Sequence, residues 1–297
     1  MPNSAPKESA KFWKHPALPT VELLRATYVT HSFARHLHDG YALGVIESGR
    51  EAFQYRGCSY VAPAGSIAII HPGEVHTGHA DAAEGWRYRM FYPDAAVLAQ
   101  VAAQVAGREM PLPYFPNPVI VDAQIAQGLR QVHRALENGD LRLACESRFL
   151  WLLAQLIARH GCDRPIPTPL CPDPGKMQRV REYLEAHLAD AVALEDLATL
   201  VQMSSFQVLR AFRHQFGLPP HAYLTHLRLL RAKHLLAQQE AIAQVAADTG
   251  FSDQSHLNRH FKRVFGIPPG HYQRGYQLHH LDLCKNVQDL SSPSALG

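Results

Sequence analysis

Cysteine is scarce in this 297-residue chain and poorly arranged: Cys58, Cys145, Cys162, Cys171 and Cys284 are odd in number, scattered, and never spaced Cys-x-x-Cys. That excludes a disulfide framework and a paired-cysteine zinc site, and the thiols are expected to be reduced, either buried or incidental. No apolar run reaches the ~20 residues needed to span a bilayer, and the opening MPNSAPKESAKFWKH lacks the apolar stretch of a secretory signal. A cytoplasmic protein with no membrane partner is expected. The net charge of +3 is too small to argue for a polyanionic partner alone. The whole surplus falls within 173–275, which is compatible with a phosphate-facing surface there.

What is present is core-forming material: 46% hydrophobic residues over a length sufficient for two ordinary domains. Proline clusters at Pro111, Pro113, Pro116 and Pro118, and again at Pro165, Pro167, Pro169, Pro172 and Pro174, block helix continuation and read as boundaries. Before the first cluster, short β-branched and aromatic stretches at 43–46, 52–55, 60–61, 67–70 and 87–92 alternate with Gly- and Pro-bearing turns, which predicts an antiparallel barrel or sandwich. Between the clusters the period becomes helical, with Ile125, Leu129, Val132 and Leu136 on one face. A second helix at 141–160 is too apolar for a fully solvated surface and must pack on the barrel, its neighbour or a second subunit. Past the second cluster everything reads as helix until the period fades. The expected class is therefore α+β: a barrel at 1–110, helices at 111–163 that serve for dimerisation, a Pro-rich linker at 164–175, an all-α domain at 176–276 and a disordered tail at 277–297.

An internal repeat is the most informative feature. LEDLATLVQMS at 194–204 matches IAQVAADTGFS at 242–252, and FGLPP at 216–220 matches FGIPP at 265–269, with one extra residue in the second copy at the start of its second helix. Each copy has the layout of a helix-turn-helix. Leu194, Leu197 and Ala198, or Ile242, Val245 and Ala246, face the core. Ser204 or Ser252 is placed to cap the next helix, which buries Val208 and Phe212 or Leu257 and Phe261 and leaves an outward face free for a major groove. Gly217 or Gly266 then supplies the left-handed stop. A single helix over 220–238 joins the copies and spans just under ~30 Å, close to the ~34 Å of one DNA turn.

The run A-x-x-x-G-F-x-D-Q-S-x-L-x-R-x-F-K followed by G-x-x-P, with the first copy upstream, resembles the double helix-turn-helix domain of the AraC/XylS regulator family over about 100 residues. That family usually has a small residue and a glycine where this chain has Val201 and Gln202. A left-handed turn at Gln202 would cost ~1 kcal/mol. Carried over by position, the resemblance implies that Ser205, Phe206, Leu209 and Arg210 of the first unit and Gln254, Ser255, His256 and Arg259 of the second read base edges, chemistry that suits arginine on guanine and glutamine on adenine. Arg213, Lys262 and Arg263 are better placed for phosphates.

Upstream, HLHD at 36–39, GSIAIIHPGEVH at 65–76 and WRYRMFY at 86–92 resemble the cupin-type effector-binding domain of many members of the same family, which implies a small molecule inside the barrel. The candidate pocket residues are His36, His38, Glu47, His76, Tyr88 and Met90. His36 and His38, two apart, face one way in a strand, and His76 could complete a His-rich site. Asp39 points to the opposite face and Glu47 comes late, so neither a metal, a cofactor nor a catalytic residue is expected. The rival readings are a metal-dependent cupin enzyme with an accessory DNA-binding module, and a constitutive DNA-binding protein whose barrel is a scaffold. The expected function is a sequence-specific transcription regulator, homodimeric through helices at 122–161, with double-stranded DNA, a small effector of open class and RNA polymerase as partners; the resemblance alone implies activation.

Overall fold

The structure, a computed structural model, describes residues 7–170 and 173–275. The tail expected at 277–297 lies outside the described residues, as do Cys171 and Cys284. The described cysteines are free thiols: Cys145 is buried, Cys58 and Cys162 exposed.

The strands are β1 (Ser9–His15), β2 (Leu18–Tyr28), β3 (Ser32–His36), β4 (Ala42–Tyr55), β5 (Cys58–Pro63), β6 (Ile67–Ile70), β7 (His76–Ala80), β8 (Trp86–Pro93) and β9 (Val119–Ile120). They form two antiparallel leaves that share β4. Its first half joins the path β1-β2-β8-β4-β6-β9, and its second half pairs with β5 and β7, with β3 beyond β7. The leaves enclose an open barrel, not a closed one. The strand changes leaf at a register shift between Ile46 and Ser48, next to Gly49 at φ 73°. A Cβ there would lie 2.0 Å from the Gly85 carbonyl oxygen, so this bulge requires glycine.

Helices α1 (Ala95–Ala106), α2 (Ala123–Glu137) and α3 (Arg142–His160) cover the outside of the first leaf. Leu43, Val45 and Phe91 of the sheet share a core with Leu98, Leu129, Val132, Phe149, Leu153 and Leu156. The apolar circumference of α3 is thus buried within one chain, one of the alternatives the sequence left open. A buried ionic cluster reinforces this face. Arg89 donates to Glu47 (2.9 Å) and Glu137 (2.8 Å), and Glu47 also accepts from Arg134 on α2.

The C-terminal elements are α4 (Pro174–Ala186), α5 (Leu194–Val201), α6 (Ser205–Phe216), α7 (Pro220–Ala237), α8 (Ile242–Asp248) and α9 (Gln254–Phe265). Asp173 caps α4 by accepting from the Lys176 amide, with Pro174 in the first turn. In the first repeat Gln202 adopts φ 52°, ψ 52°, the left-handed turn foreseen, and Ser204 and Gln207 form a reciprocal capping box over α6. In the second repeat Gly250 takes the matching left-handed place, but the cap is Asp253, not Ser252. The extra residue of the second copy is this aspartate, inserted between turn and helix. Arg228 of α7 fastens the two units: its guanidinium is buried and donates to the carbonyls of Leu188, Asp190 and Gly250 at 2.6–2.7 Å. No described helix is long and apolar enough to cross a membrane.

Candidate effector cavity and nucleic-acid interface

A cavity of about 230 Å³ opens between the two leaves, lined by His36, His38, Glu51, His76, Tyr88, Met90 and Tyr92 with Phe33 and Phe53 among its apolar walls. The strand period explains who points inward. Tyr88, Met90 and Tyr92 alternate on β8, while Arg89 and Phe91 face the helices. On β4, Ala42 faces the cavity before the bulge, and Glu51 and Phe53 face it after, because the inserted residue inverts the alternation. Glu47 falls on the other side of that inversion. The structure therefore corrects its assignment: it lies among Arg89 and Arg134 beneath α2, not in the cavity. Glu51, absent from the sequence-based candidates, is the carboxyl group that the cavity contains.

The three histidines gather at one end. Their ring centroids lie 4.2 to 5.1 Å apart, and one nitrogen from each falls within 4.8 Å of the others. Burial, reinforced by the neighbouring His36, holds His76 down at about 4 and also lowers His38. Neutral imidazoles at this separation can ligate a divalent ion, or they can donate to and accept from a polar organic ligand. Burial pushes Glu51 up to about 7, and it pushes the phenols of Tyr88 and Tyr92 above their ordinary value. The cavity thus offers imidazole and phenol groups and one carboxyl group of raised pKa between aromatic walls.

The two repeats are placed differently. On α6 the face expected to be free is turned inward. Phe206 is 2% exposed, sits in the core shared with α1 and α3, and stacks on Trp151 at 5.8 Å. Its amide N–H donates to Gln104 of α1 (3.1 Å). Ser205 and Leu209 are buried, and Arg210 donates to the Thr168 carbonyl in the linker (2.7 Å). Arg213 lies over the Trp151 ring. The outward orientation expected for this helix is corrected accordingly: its apolar leading edge fits a groove between α1 and α3 better than it fits water. On α9, Gln254, Ser255, Arg259, Lys262 and Arg263 are exposed. His256 departs from them, being fully buried with its Nε2 3.6 Å from Asp140, and Arg259 reaches the same carboxylate at 3.4 Å. Gln104, Asp140, Trp151 and Thr168, the receiving side of these contacts, carry no sequence signal of their role, since each acts only across the junction.

Comparison with known proteins agrees with this division. The profile of the AraC-like ligand binding domain matches residues 18–153, and that of a helix-turn-helix domain matches 197–275. An HTH-type transcriptional regulator of Bacillus subtilis strain 168, YbfI, is 30% identical over 237 residues, covering 80% of this chain and 86% of that protein. The HTH-type transcriptional activator RhaS of Escherichia coli strain SMS-3-5 is 27% identical over 251 residues, covering 82% of this chain and 88% of its own length. A solved structure of a probable AraC family transcriptional regulator from Rhodopseudomonas palustris is 28% identical and covers 34% of this chain and 97% of that one, with a TM-score of 0.33.

Proposed function

Because the chain belongs to the AraC family of helix-turn-helix transcription regulators, we propose that it activates transcription by sequence-specific DNA binding under the control of a small effector held in the barrel cavity. The observation that carries this reading is the contrast between the repeats. The surface of α9 is exposed and cationic, whereas α6 is folded onto the effector-binding half, so full engagement of DNA requires the two halves to part. An effector that binds one arrangement more tightly than the other shifts that balance.

In this reading Gln254, Ser255 and Arg259 read base edges from α9, while Lys262 and Arg263 hold phosphates. In the open arrangement Ser205, Phe206, Leu209 and Arg210 do the same from α6, with Arg213 on the backbone. His36, His38, His76, Glu51, Tyr88 and Met90 contact the effector. The chain works as a non-enzymatic sensor in the cytoplasm, as a homodimer through 122–161 on paired half-sites, with RNA polymerase as its partner at the promoter.

The test begins by selecting bound duplexes from a random pool with the full-length chain. Arg259→Ala should lower affinity for the selected duplex by about 1–3 kcal/mol and relax preference at one position. Lys262→Ala should weaken all sequences alike and reduce the salt slope by about one unit. Unchanged sequence preference in the arginine variant removes it from the base readers.

A further inference from the structure

A second group of metal-ligating side chains lies far from the cavity, where the turn between α2 and α3 meets the start of α9. Asp140, His256 and His260 each bring one donor atom, all within 4.8 Å of one another. His256 is 0% exposed, its Nδ1 lies 2.9 Å from the Ser252 hydroxyl, and its Nε2 is buried without a hydrogen-bond partner. With Nδ1–H donating to the serine, Nε2 turns a bare lone pair toward Asp140 Oδ1 at 3.6 Å. Two electron-rich atoms facing each other in a buried place are stabilised by a cation between them. Their spacing is too long for a hydrogen bond. It is close to the ~3.4 Å that separates neighbouring ligands around a tetrahedral ion with bonds of ~2.1 Å.

His260, one helical turn further along α9, completes the set. Its Nδ1 accepts from Arg263 at 3.1 Å, a bond to an exposed side chain that ligation through Nε2 would exchange for water. Arg259 and Arg263 place positive charge beside the group, which disfavours a weakly held hard cation. Two imidazoles and one carboxylate instead suit zinc and its first-row neighbours.

We propose that Asp140, His256 and His260 bind a first-row transition-metal ion of the zinc class. The bound ion clasps α9 to the α2–α3 turn and so holds the second repeat, like the first, against the effector-binding half. The metal site stands on its own geometry; the consequence for DNA rests on the reading of α9 as a groove-entering helix.

The full-length chain carrying His36→Ala and His38→Ala, which removes the cavity histidines as a competing site, is titrated with Zn²⁺ against a chromophoric chelator and with Co²⁺ followed by its visible absorption. One equivalent is expected, with the intense bands of tetrahedral cobalt. Adding Asp140→Asn or His260→Ala should each weaken zinc binding at least tenfold. These two positions carry the test because truncating the buried His256 endangers folding. Equal zinc affinity in all three chains overturns the site, which is also the result expected if Asp140 and His256 merely share a proton. In a parallel arm, saturating Zn²⁺ should lower affinity for the selected duplex in the His36→Ala/His38→Ala chain and not in the chain that also carries Asp140→Asn. Zinc binding without that difference overturns the clasp. A chain that takes zinc at this site yet binds no duplex under any condition overturns the DNA reading and leaves the metal site standing.

Discussion

Glu51 shows how much a single residue can disclose. Its carboxyl group lies in the cavity with no cation paired to it among the described residues, and burial raises its pKa from 4.5 to about 7. The folded chain therefore keeps a proton that the unfolded chain has released, so the stability contributed by this group is complete below pH 4.5 and is lost as pH rises through 7. Glu51→Gln should melt with the wild type near pH 4 and gain ~2 kcal/mol at pH 8, the full shift being discounted for partial exposure to the cavity. A difference independent of pH would show that Glu51 titrates alike in the folded and unfolded chains. The same residue marks a limit of reading strands by alternation. Glu47, five residues from the inward Ala42, faces the helices, and only the inversion at the bulge beside Gly49 turns Glu51 into the cavity. A glycine followed by renewed alternation was the available signal.

At the scale of elements, local rules carried the helical repeats and failed at the strands that open the chain. The long helix expected at 220–238 is α7, observed at Pro220–Ala237, because its proline start and its apolar positions are intrinsic to the segment. The left-handed turn at Gln202 follows from the glycine that the resembled family usually has there, and Gly250 takes the matching conformation in the second copy. Replacing it by Gln202→Gly should raise stability by ~0.5–1 kcal/mol, less than the full left-handed penalty because glycine also loosens the unfolded chain. Denaturant midpoints at constant slope would check this, and an unchanged midpoint would mean that the glutamine side chain compensates the strain. By contrast β1 is exposed along most of its length and β2 carries apolar residues without strict alternation, so neither announces itself. Helix α1, whose alanine-rich sequence packs Leu98, Val101 and Val105 on the sheet, follows β8 so closely that it was absorbed into the barrel. The cap of α9 is Asp253 and not the repeat-matched Ser252, because the inserted aspartate is the stronger acceptor and stands one residue nearer the helix.

For the whole molecule, the decisive feature is the junction between halves, which no periodicity encodes. Phe206 closes onto Trp151 and Gln104 with the surface that the repeat pattern assigns to DNA, so under the proposed function closure and full DNA engagement exclude each other. Truncating the receiving side leaves the reading helix intact. Trp151→Ala should remove on the order of 2 kcal/mol from the closed contact and tighten effector-free binding to the selected duplex by roughly tenfold or more. Fluorescence anisotropy would measure this, and equal or weaker binding would mean that the contact does not compete with DNA.

Thr168 holds the connecting segment at both ends of this junction: its amide donates to the Val105 carbonyl at 3.1 Å and its own carbonyl accepts from Arg210. While that grip lasts, the slack from Thr168 to Asp173 is at most roughly 17 Å. Once it slips, the span from Gly161 to Asp173 grows to roughly 40 Å, more than one turn of duplex. Once the contacts of α6 and α9 across the junction have parted as well, this longer tether would let the proposed DNA-binding domain face either way along a duplex, so that tandem and mirrored sites alike come within its reach.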